Sequence, residues 1–175
     1  MAVPLPTAEG RRLWQSLADV RARHPEARWL EPAKLHLTLV FLGATDPGEI
    51  DRLTAAVAHV TGRWRTLEAG TGEAGGYLGT RRGGVAWLTV REGRVQLSRL
   101  SRELDAAMAA CTYARHGPRP HLTLARRVDA KLLAELQATP PPEIRFPVDR
   151  VKLMRSHTGP GGSRYEELAT FLLSG

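Results

Sequence analysis

The sequence HLTL occurs twice in this chain, at residues 36–39 and again at residues 121–124. Side chains alternate across a β-strand, so the histidine and the threonine of each copy share one face, and the two leucines point to the other. Leucines on one face are typical of a strand that covers an apolar core. We therefore predict that both copies are strands and that each presents one imidazole and one hydroxyl to a shared cleft.

The surrounding patterns predict an α+β fold. Apolar residues recur at helical spacing after Thr7, after Asp46, over 95–110 and after Asp129, and these three named residues are predicted N-caps. The predicted strands are 34–42, 85–90, 121–126, 148–155 and 165–172. The Gly- and Arg-rich segment 70–84 is predicted to be a loop with a short strand near Tyr77. Several strands are consecutive, which favours antiparallel sheet over a doubly wound parallel sheet.

Length and composition predict one soluble domain over residues 1–175. The chain has a single cysteine, Cys111, which excludes an intramolecular disulfide, and it has no apolar run long enough for a membrane helix. The N-terminus is not typical of a signal peptide. We expect a cytoplasmic protein, a monomer, with no membrane association. The net charge of +7 favours a polyanionic partner such as RNA, although the 22 Arg and 3 Lys are also typical of a GC-rich coding sequence.

The two histidines suit acid–base chemistry on a cyclic phosphodiester. Histidine has a pKa near 6.5, so a protonated and a neutral imidazole coexist near neutrality. His36 and His121 are therefore the predicted catalytic pair, and the hydroxyls of Thr38 and Thr123 are predicted to donate to phosphate oxygens. A lone histidine in a strand is usually structural, but two on paired motifs favour function.

A zinc site is the alternative use of two histidines. No third ligand stands at a sensible spacing, and Asp46 and Asp129 are better explained as helix caps. We predict no metal and no cofactor.

At these residues the sequence resembles the two-histidine phosphoesterase superfamily, whose motif is His-φ-Ser/Thr-φ repeated once. More narrowly, it is similar to the bacterial and archaeal RNA 2′,3′-cyclic phosphodiesterases, also called 2′-5′ RNA ligases. WLEPAKLHLTLVFLG at 29–43 and RPHLTLAR at 119–126 carry the resemblance, and LMRS at 153–156 with Gly162 and Tyr165 resembles the C-terminal hairpin. The segment before Pro4 is shorter than the first strand of that family.

The resemblance implies a bilobal fold, with two pseudo-symmetric antiparallel sheets facing a central cleft and helices outside. It implies hydrolysis of a terminal RNA 2′,3′-cyclic phosphate to a 2′-phosphate, with 2′-5′ joining of RNA ends as a companion reaction. By position, His36 is the acid that protonates the leaving O3′, and His121 is the base that activates water.

Two more residues take roles from the resemblance. Phe41 stands at a position that stacks on a nucleobase, and Arg126 at one that contacts phosphate. Strict alternation would turn Phe41 toward the core and Arg126 away from the face of His121, so Phe41 needs the strand to end or bulge. Arg126 is otherwise a solvated surface charge.

Some residues and functions remain open from sequence. Tyr165 is predicted to pack within the hairpin, Cys111 to be a small buried residue, and Ser156 and His157 are candidates for the rim of the cleft. A phosphodiesterase acting on a small cyclic nucleotide or on ADP-ribose cyclic phosphate is one alternative function. A non-catalytic module that binds RNA ends is another.

Overall fold

The computed structural model describes residues 1–79, 83–109, 120–159 and 162–174. Cys111, His116 and Arg119, and the end of the helix predicted over 95–110, lie outside the described residues. The described part of the chain forms nine strands and five α-helices. The strands are β1 (Ala2–Pro4), β2 (Arg28–Trp29), β3 (His36–Thr38), β4 (Leu67–Tyr77), β5 (Gly84–Val90), β6 (His121–Val128), β7 (Arg145–Val148), β8 (Arg150–Gly159) and β9 (Gly162–Leu172). The helices are α1 (Thr7–Ser16), α2 (Ala18–Arg23), α3 (Ile50–Thr61), α4 (Arg94–Ala107) and α5 (Ala130–Ala138).

The strands form one curled sheet in the order β7-β4-β5-β6-β3-β1-β8-β9, with β2 paired to β6. Only Asp149 separates β7 from β8 in the chain, yet β7 lies at one edge and β8 next to the other. The two ends of the sheet must therefore approach each other. Hydrogen bonds from Thr66 N to Ser174 O (2.9 Å) and from Ser174 N to Trp64 O (2.8 Å) join the segments before β4 and after β9.

A repeated connectivity underlies the sheet. In the first half β1 precedes α1 and α2, and the chain returns as β3, which pairs antiparallel with β1. In the second half β5 precedes α4, and the chain returns as β6, which pairs antiparallel with β5. A further helix, α3 or α5, follows each returning strand. The α+β, antiparallel prediction is confirmed, and the two halves join directly at the β3–β6 pair.

The core lies between the sheet and the helices. Leu37, Leu122 and Leu88 are register partners on three adjacent strands and are almost fully buried. The predicted helical stripe of Leu97, Leu100, Leu104 and Met108 is fully buried against this layer. None of the helices in the described ranges combines the length and the apolar character that crossing a membrane requires.

Three local predictions are corrected by the structure. Strand β3 covers only 36–38 of the predicted 34–42, because Pro32 begins a 3-10 turn that ends at Lys34. Thr7 begins α1 but is not its N-cap, which is Pro6 without a side-chain hydrogen bond. The cap at Asp129 is confirmed, since its Oδ1 accepts from Leu132 N of α5 at 2.8 Å. Asp46 Oδ1 accepts from Gly48 N at 2.8 Å, but it caps the 3-10 turn Pro47–Glu49 that precedes α3, and the N-cap of α3 itself is Glu49.

Residues 70–77 of the predicted loop belong instead to the eleven-residue strand β4, which includes the short strand predicted near Tyr77. Two glycines of β4 lie where neighbours approach too closely for a side chain. A Cβ at Gly72 would stand 2.7 Å from Thr89 Oγ1, and one at Gly75 would stand 2.8 Å from Trp87 Nε1. Glycine here is a packing requirement and not a turn signal.

We expect Leu122→Ala to lower the free energy of unfolding by about 2–5 kcal/mol, because it leaves a cavity at the centre of the sheet. Leu172→Ala is the matched control, since Leu172 is also in a strand but is 66 % exposed; its effect should stay within about 0.5 kcal/mol. Urea denaturation of both variants measures the difference. Equal losses would contradict the assignment of Leu122 to the core.

Candidate functional site

One row of residues crosses the middle of the sheet on a single face. Thr89, His121 and Thr38 are successive register partners on β5, β6 and β3. The row continues to Ala2 on β1 and Lys152 on β8. Because register partners in a sheet point to the same side, the first histidine motif and the second face the same space.

This face is the concave one. The rings of His36 on β3 and Tyr165 on β9 meet edge to face, with centroids 5.2 Å apart. Strands β1 and β8 lie between them, so a flat sheet would place the two strands roughly 14 Å apart. The sheet therefore curls toward the histidines and encloses them in a cleft, while the helices cover the opposite face.

The imidazole of His36 is held in one orientation. Its Nδ1 lies 2.8 Å from the Lys34 carbonyl oxygen, to which Nδ1–H donates. The 3-10 turn before β3 places that carbonyl beneath the ring. A neutral imidazole that donates through Nδ1 keeps a lone pair on Nε2, which is then the nitrogen available to a ligand.

The pKa of His36 is lowered from its ordinary value of 6.5. Burial is the largest cause, and the hydrogen bond to the Lys34 carbonyl opposes it. The positive charges of the N-terminal amine, His121 and Arg126 lower the pKa of His36 further. These charge effects also indicate that His36, His121 and Arg126 lie close enough to act on one another.

His121 is half-buried beside a second aromatic ring. The centroids of His121 and Trp87 lie 5.7 Å apart, with the rings tilted by 58°. Trp87 is the register partner of Thr123 and so shares its face of the sheet. Each histidine thus has an aromatic neighbour, Tyr165 for His36 and Trp87 for His121.

The structural repeat extends two residues beyond HLTL. Leu39 and Val40 are both buried after Thr38, and Leu124 and Ala125 are both buried after Thr123. Two consecutive buried residues break the alternation of each strand. The next residue in each copy, Phe41 or Arg126, is exposed as a consequence.

A β-bulge accounts for the position of Arg126. Thr123 pairs with Trp87, but Ala125 pairs with Ala86, so β6 carries one extra residue there. Arg126 consequently pairs with Val85, which shares the cleft face with Trp87. Alternation alone had placed Arg126 opposite His121, and the bulge returns it to the same side.

Phe41 reaches the surface because β3 ends at Thr38. The backbone N–H groups of Leu39 and Val40 both donate to the carbonyl oxygen of Met1, at 3.0 and 3.4 Å. The side chain of Phe41 is 56 % exposed. The strand thus ends before Phe41, which is the condition for this side chain to contact a ligand.

Sequence reasoning missed a pocket of about 180 Å³ beside His36. Its walls include Lys152, Met154, Tyr165 and Glu167. Lys152 Nζ donates to Glu167 Oε2 at 2.5 Å, so the two charges offset each other. Tyr165 belongs to the β8–β9 hairpin as expected, but its ring contacts His36. Alternation on β9 could have identified it only if the curl of the sheet had been known.

The remaining described histidines lie outside this group. His24 is buried and lies 2.9 Å from Glu135, and His59 is exposed on α3. His157 Nε2 lies 2.8 Å from Glu166 on the exposed hairpin, and Ser156 is exposed beside it. In the described part of the chain, no three His, Cys, Asp or Glu residues are grouped as metal ligands would be.

Comparison with known proteins identifies relatives of the whole chain. A family model described as the 2′-5′ RNA ligase superfamily matches residues 8–160. A Geobacillus stearothermophilus protein named RNA 2′,3′-cyclic phosphodiesterase is 27 % identical over 183 residues, and the chain covers 57 % of its length. A protein of the same name from Methanothermobacter thermautotrophicus is 28 % identical over 162 residues, covering 88 % of this chain and 86 % of that protein. Escherichia coli LigT complexed with 3′-AMP has a similar fold, with a TM-score of 0.75, 26 % identity and coverage of 99 % of this chain and 96 % of that chain.

The pKa of His36 is directly measurable by NMR titration of the imidazole nitrogens. We expect a value below 6.5, with the proton of the neutral ring on Nδ1. Arg126→Gln should raise this pKa, because it removes a positive charge that opposes protonation. Arg94→Gln, at the start of α4, is the matched control and should leave it unchanged. A His36 pKa that is insensitive to Arg126→Gln would place Arg126 away from the cleft.

Proposed function

Because the chain belongs to the 2′-5′ RNA ligase superfamily, we propose that it is an RNA 2′,3′-cyclic phosphodiesterase that uses His36 and His121 as its acid–base pair. The observation that carries the proposal is the β3–β6 pairing, which sets Thr38 opposite His121 and gathers both motifs on one concave face. The names of the relatives support the same activity.

The proposed reaction opens the cyclic phosphate at the P–O3′ bond. One imidazole removes a proton from water as the water oxygen attacks phosphorus. The other imidazole gives a proton to O3′ as that oxygen leaves, and the product carries a 2′-phosphate and a free 3′-hydroxyl. The balance needs one base and one acid, and no electron transfer occurs. If a 5′-hydroxyl of a second RNA replaces water, the same steps form a 2′-5′ bond.

The phosphate is held by neutral donors and one cation in this proposal. Thr38 and Thr123 donate hydrogen bonds to the non-bridging oxygens, where negative charge gathers. Arg126 adds a positive charge at the position to which the β6 bulge brings it. Phe41, which follows the first histidine motif, has an exposed ring on which the terminal nucleobase stacks in this proposal.

The family resemblance assigns the acid to His36, and its pKa sets a condition on that role. In the free protein the lowered pKa favours the neutral ring, which is the form of a base. An anionic phosphate beside the ring raises its pKa again, because an opposite charge favours the protonated form. As an acid, His36 would therefore take up its proton as substrate binds.

The first test is incubation of the protein, in EDTA, with an RNA that ends in a 2′,3′-cyclic phosphate. We expect a 2′-phosphate product, and we expect His36→Ala and His121→Ala each to lower kcat by about 10²–10⁴-fold. His59→Ala removes an exposed imidazole on α3 and serves as the control. Loss of activity in EDTA would indicate a metal enzyme, and full activity of both variants would show that hydrolysis uses neither histidine. No turnover by the unmutated protein, with RNA binding that survives both substitutions, would favour a non-catalytic module that binds RNA ends.

A sulfur atom in place of O3′ distinguishes the acid from the base. A thiolate leaves without protonation far more readily than a ribose oxygen, because thiols have a pKa near 8.5. We expect His36→Ala to lose at most about tenfold on this substrate, compared with about 10²-fold or more on the oxygen substrate. His121→Ala should lose equally on both. The reverse pattern would exchange the two roles.

A further inference from the structure

The cleft face continues from His121 across β5 and β4. Trp87 follows His121 in this direction, and its half-buried indole lies over Gly75, where an added Cβ would stand 2.8 Å from Nε1. Gly75 is the register partner of Trp87. The absence of a side chain at Gly75 lets the indole lie along the floor of the cleft beside the histidine.

A second row of side chains runs parallel to the first. Tyr77, Val85, Arg126 and Arg28 are successive register partners on β4, β5, β6 and β2. Tyr77 is 60 % exposed, and Arg126 is exposed as well. This row lies two residues beyond Trp87 along β5, with Tyr77 at its β4 end and the two arginines side by side at its β6–β2 end.

Neighbouring residues confirm which face these side chains occupy. Gly76 points toward the helices, since an added Cβ there would meet Leu133 of α5. Trp29, next to Arg28, packs against the core. Tyr77 and Arg28 therefore lie on the cleft face.

The two wings of the cleft differ in charge. On β8 and β9 carboxylates lie beside three of the positive groups: Glu167 beside Lys152, and Glu166 beside both Arg155 and His157. The row from Tyr77 to Arg28 contains two arginines and no carboxylate. The two guanidinium groups of this row attract phosphates to the β4–β5–β6–β2 wing.

We propose that Trp87, Tyr77, Arg126 and Arg28 form a binding strip for a short segment of single-stranded RNA that continues from the catalytic cleft. Bases stack on the two rings, and the intervening phosphates lie beside the two arginines. Aromatic platforms combined with positive charge are the general means of holding single strands without sequence preference. The proposal rests on the cyclic phosphodiesterase activity and adds a requirement for substrate length.

The experiment measures kcat/KM for substrates of one to six nucleotides, each ending in a 2′,3′-cyclic phosphate. For the wild-type protein we expect kcat/KM to rise at least tenfold from one to three nucleotides and then to level off, because the strip has two rings. Tyr77→Ala should lower the ratio of trinucleotide to mononucleotide kcat/KM by about tenfold, the usual size of one lost stacking contact. Tyr77→Phe keeps the ring and should keep the ratio.

Val95→Ala is the matched control. Val95 is 71 % exposed on α4, outside the cleft, and its loss should leave the ratio unchanged. Arg28→Gln should reduce the dependence of log KM on log salt by about 0.7, the contribution of one phosphate of a single strand. A flat length dependence in the wild-type protein, or an unchanged ratio in Tyr77→Ala, would overturn the strip as part of the substrate site.

A second experiment determines whether the RNA on the strip is the substrate strand itself or the separate strand of a joining reaction. Its result does not depend on hydrolysis of a cyclic phosphate. It measures binding of a labelled 5′-hydroxyl RNA hexamer, without a cyclic phosphate, by fluorescence anisotropy. If the segment is the separate strand of a joining reaction, Tyr77→Ala weakens this binding about tenfold while the length dependence of hydrolysis stays flat. If neither experiment responds to Tyr77→Ala, the strip does not bind RNA.

Discussion

The antiparallel pairing of β3 with β6 is the contact on which the rest of the site depends. Leu37 and Leu122 are partners across it and fix the register, so that Thr38 lies opposite His121. A slip of one residue would turn every histidine and threonine into the core and every leucine into the cleft. The buried leucines therefore stabilise the sheet and also select the face on which the imidazoles meet. The distant halves of the chain are joined by the same apolar contact that orients the polar groups.

Departures from regular strand geometry then refine this central pair. The bulge of β6 places Leu124 and Ala125 together in the core and returns Arg126 to the cleft. The early end of β3 leaves Phe41 exposed at the surface. Glycines in β4 allow Trp87 to lie close to the sheet beside His121. The bulge therefore changes the face that Arg126 occupies, whereas the glycines only determine how closely Trp87, which is on the cleft face by alternation, lies to the sheet.

The sequence was sufficient to predict what depends on local pattern. The HLTL repeat gave the two central strands, and the leucine spacing of α4 gave its buried stripe. Prediction failed where a contact is distant in the chain. Segment 70–84 resembles a loop in sequence because glycines are common in turns. Gly72 and Gly75, however, are required by the close approach of Thr89 and Trp87 on the neighbouring strand. Tyr165 looked like hairpin packing because nothing local indicates that the sheet curls until β9 reaches His36.

The curl of the sheet has an electrostatic consequence for the proposed chemistry. Enclosing the histidines in a cleft removes water from His36 and lowers its pKa, and gathering His121 and Arg126 nearby lowers it again. The empty cleft is thus a poor place for a protonated imidazole and a good place for an anion. In the proposed reaction, an anionic phosphate beside His36 and Arg126 favours the protonated form of His36, so substrate affinity and acid strength are coupled through one charge. In such a cleft the bound phosphate itself supplies the negative charge that favours protonation of His36. No other group is then needed to protonate the acid.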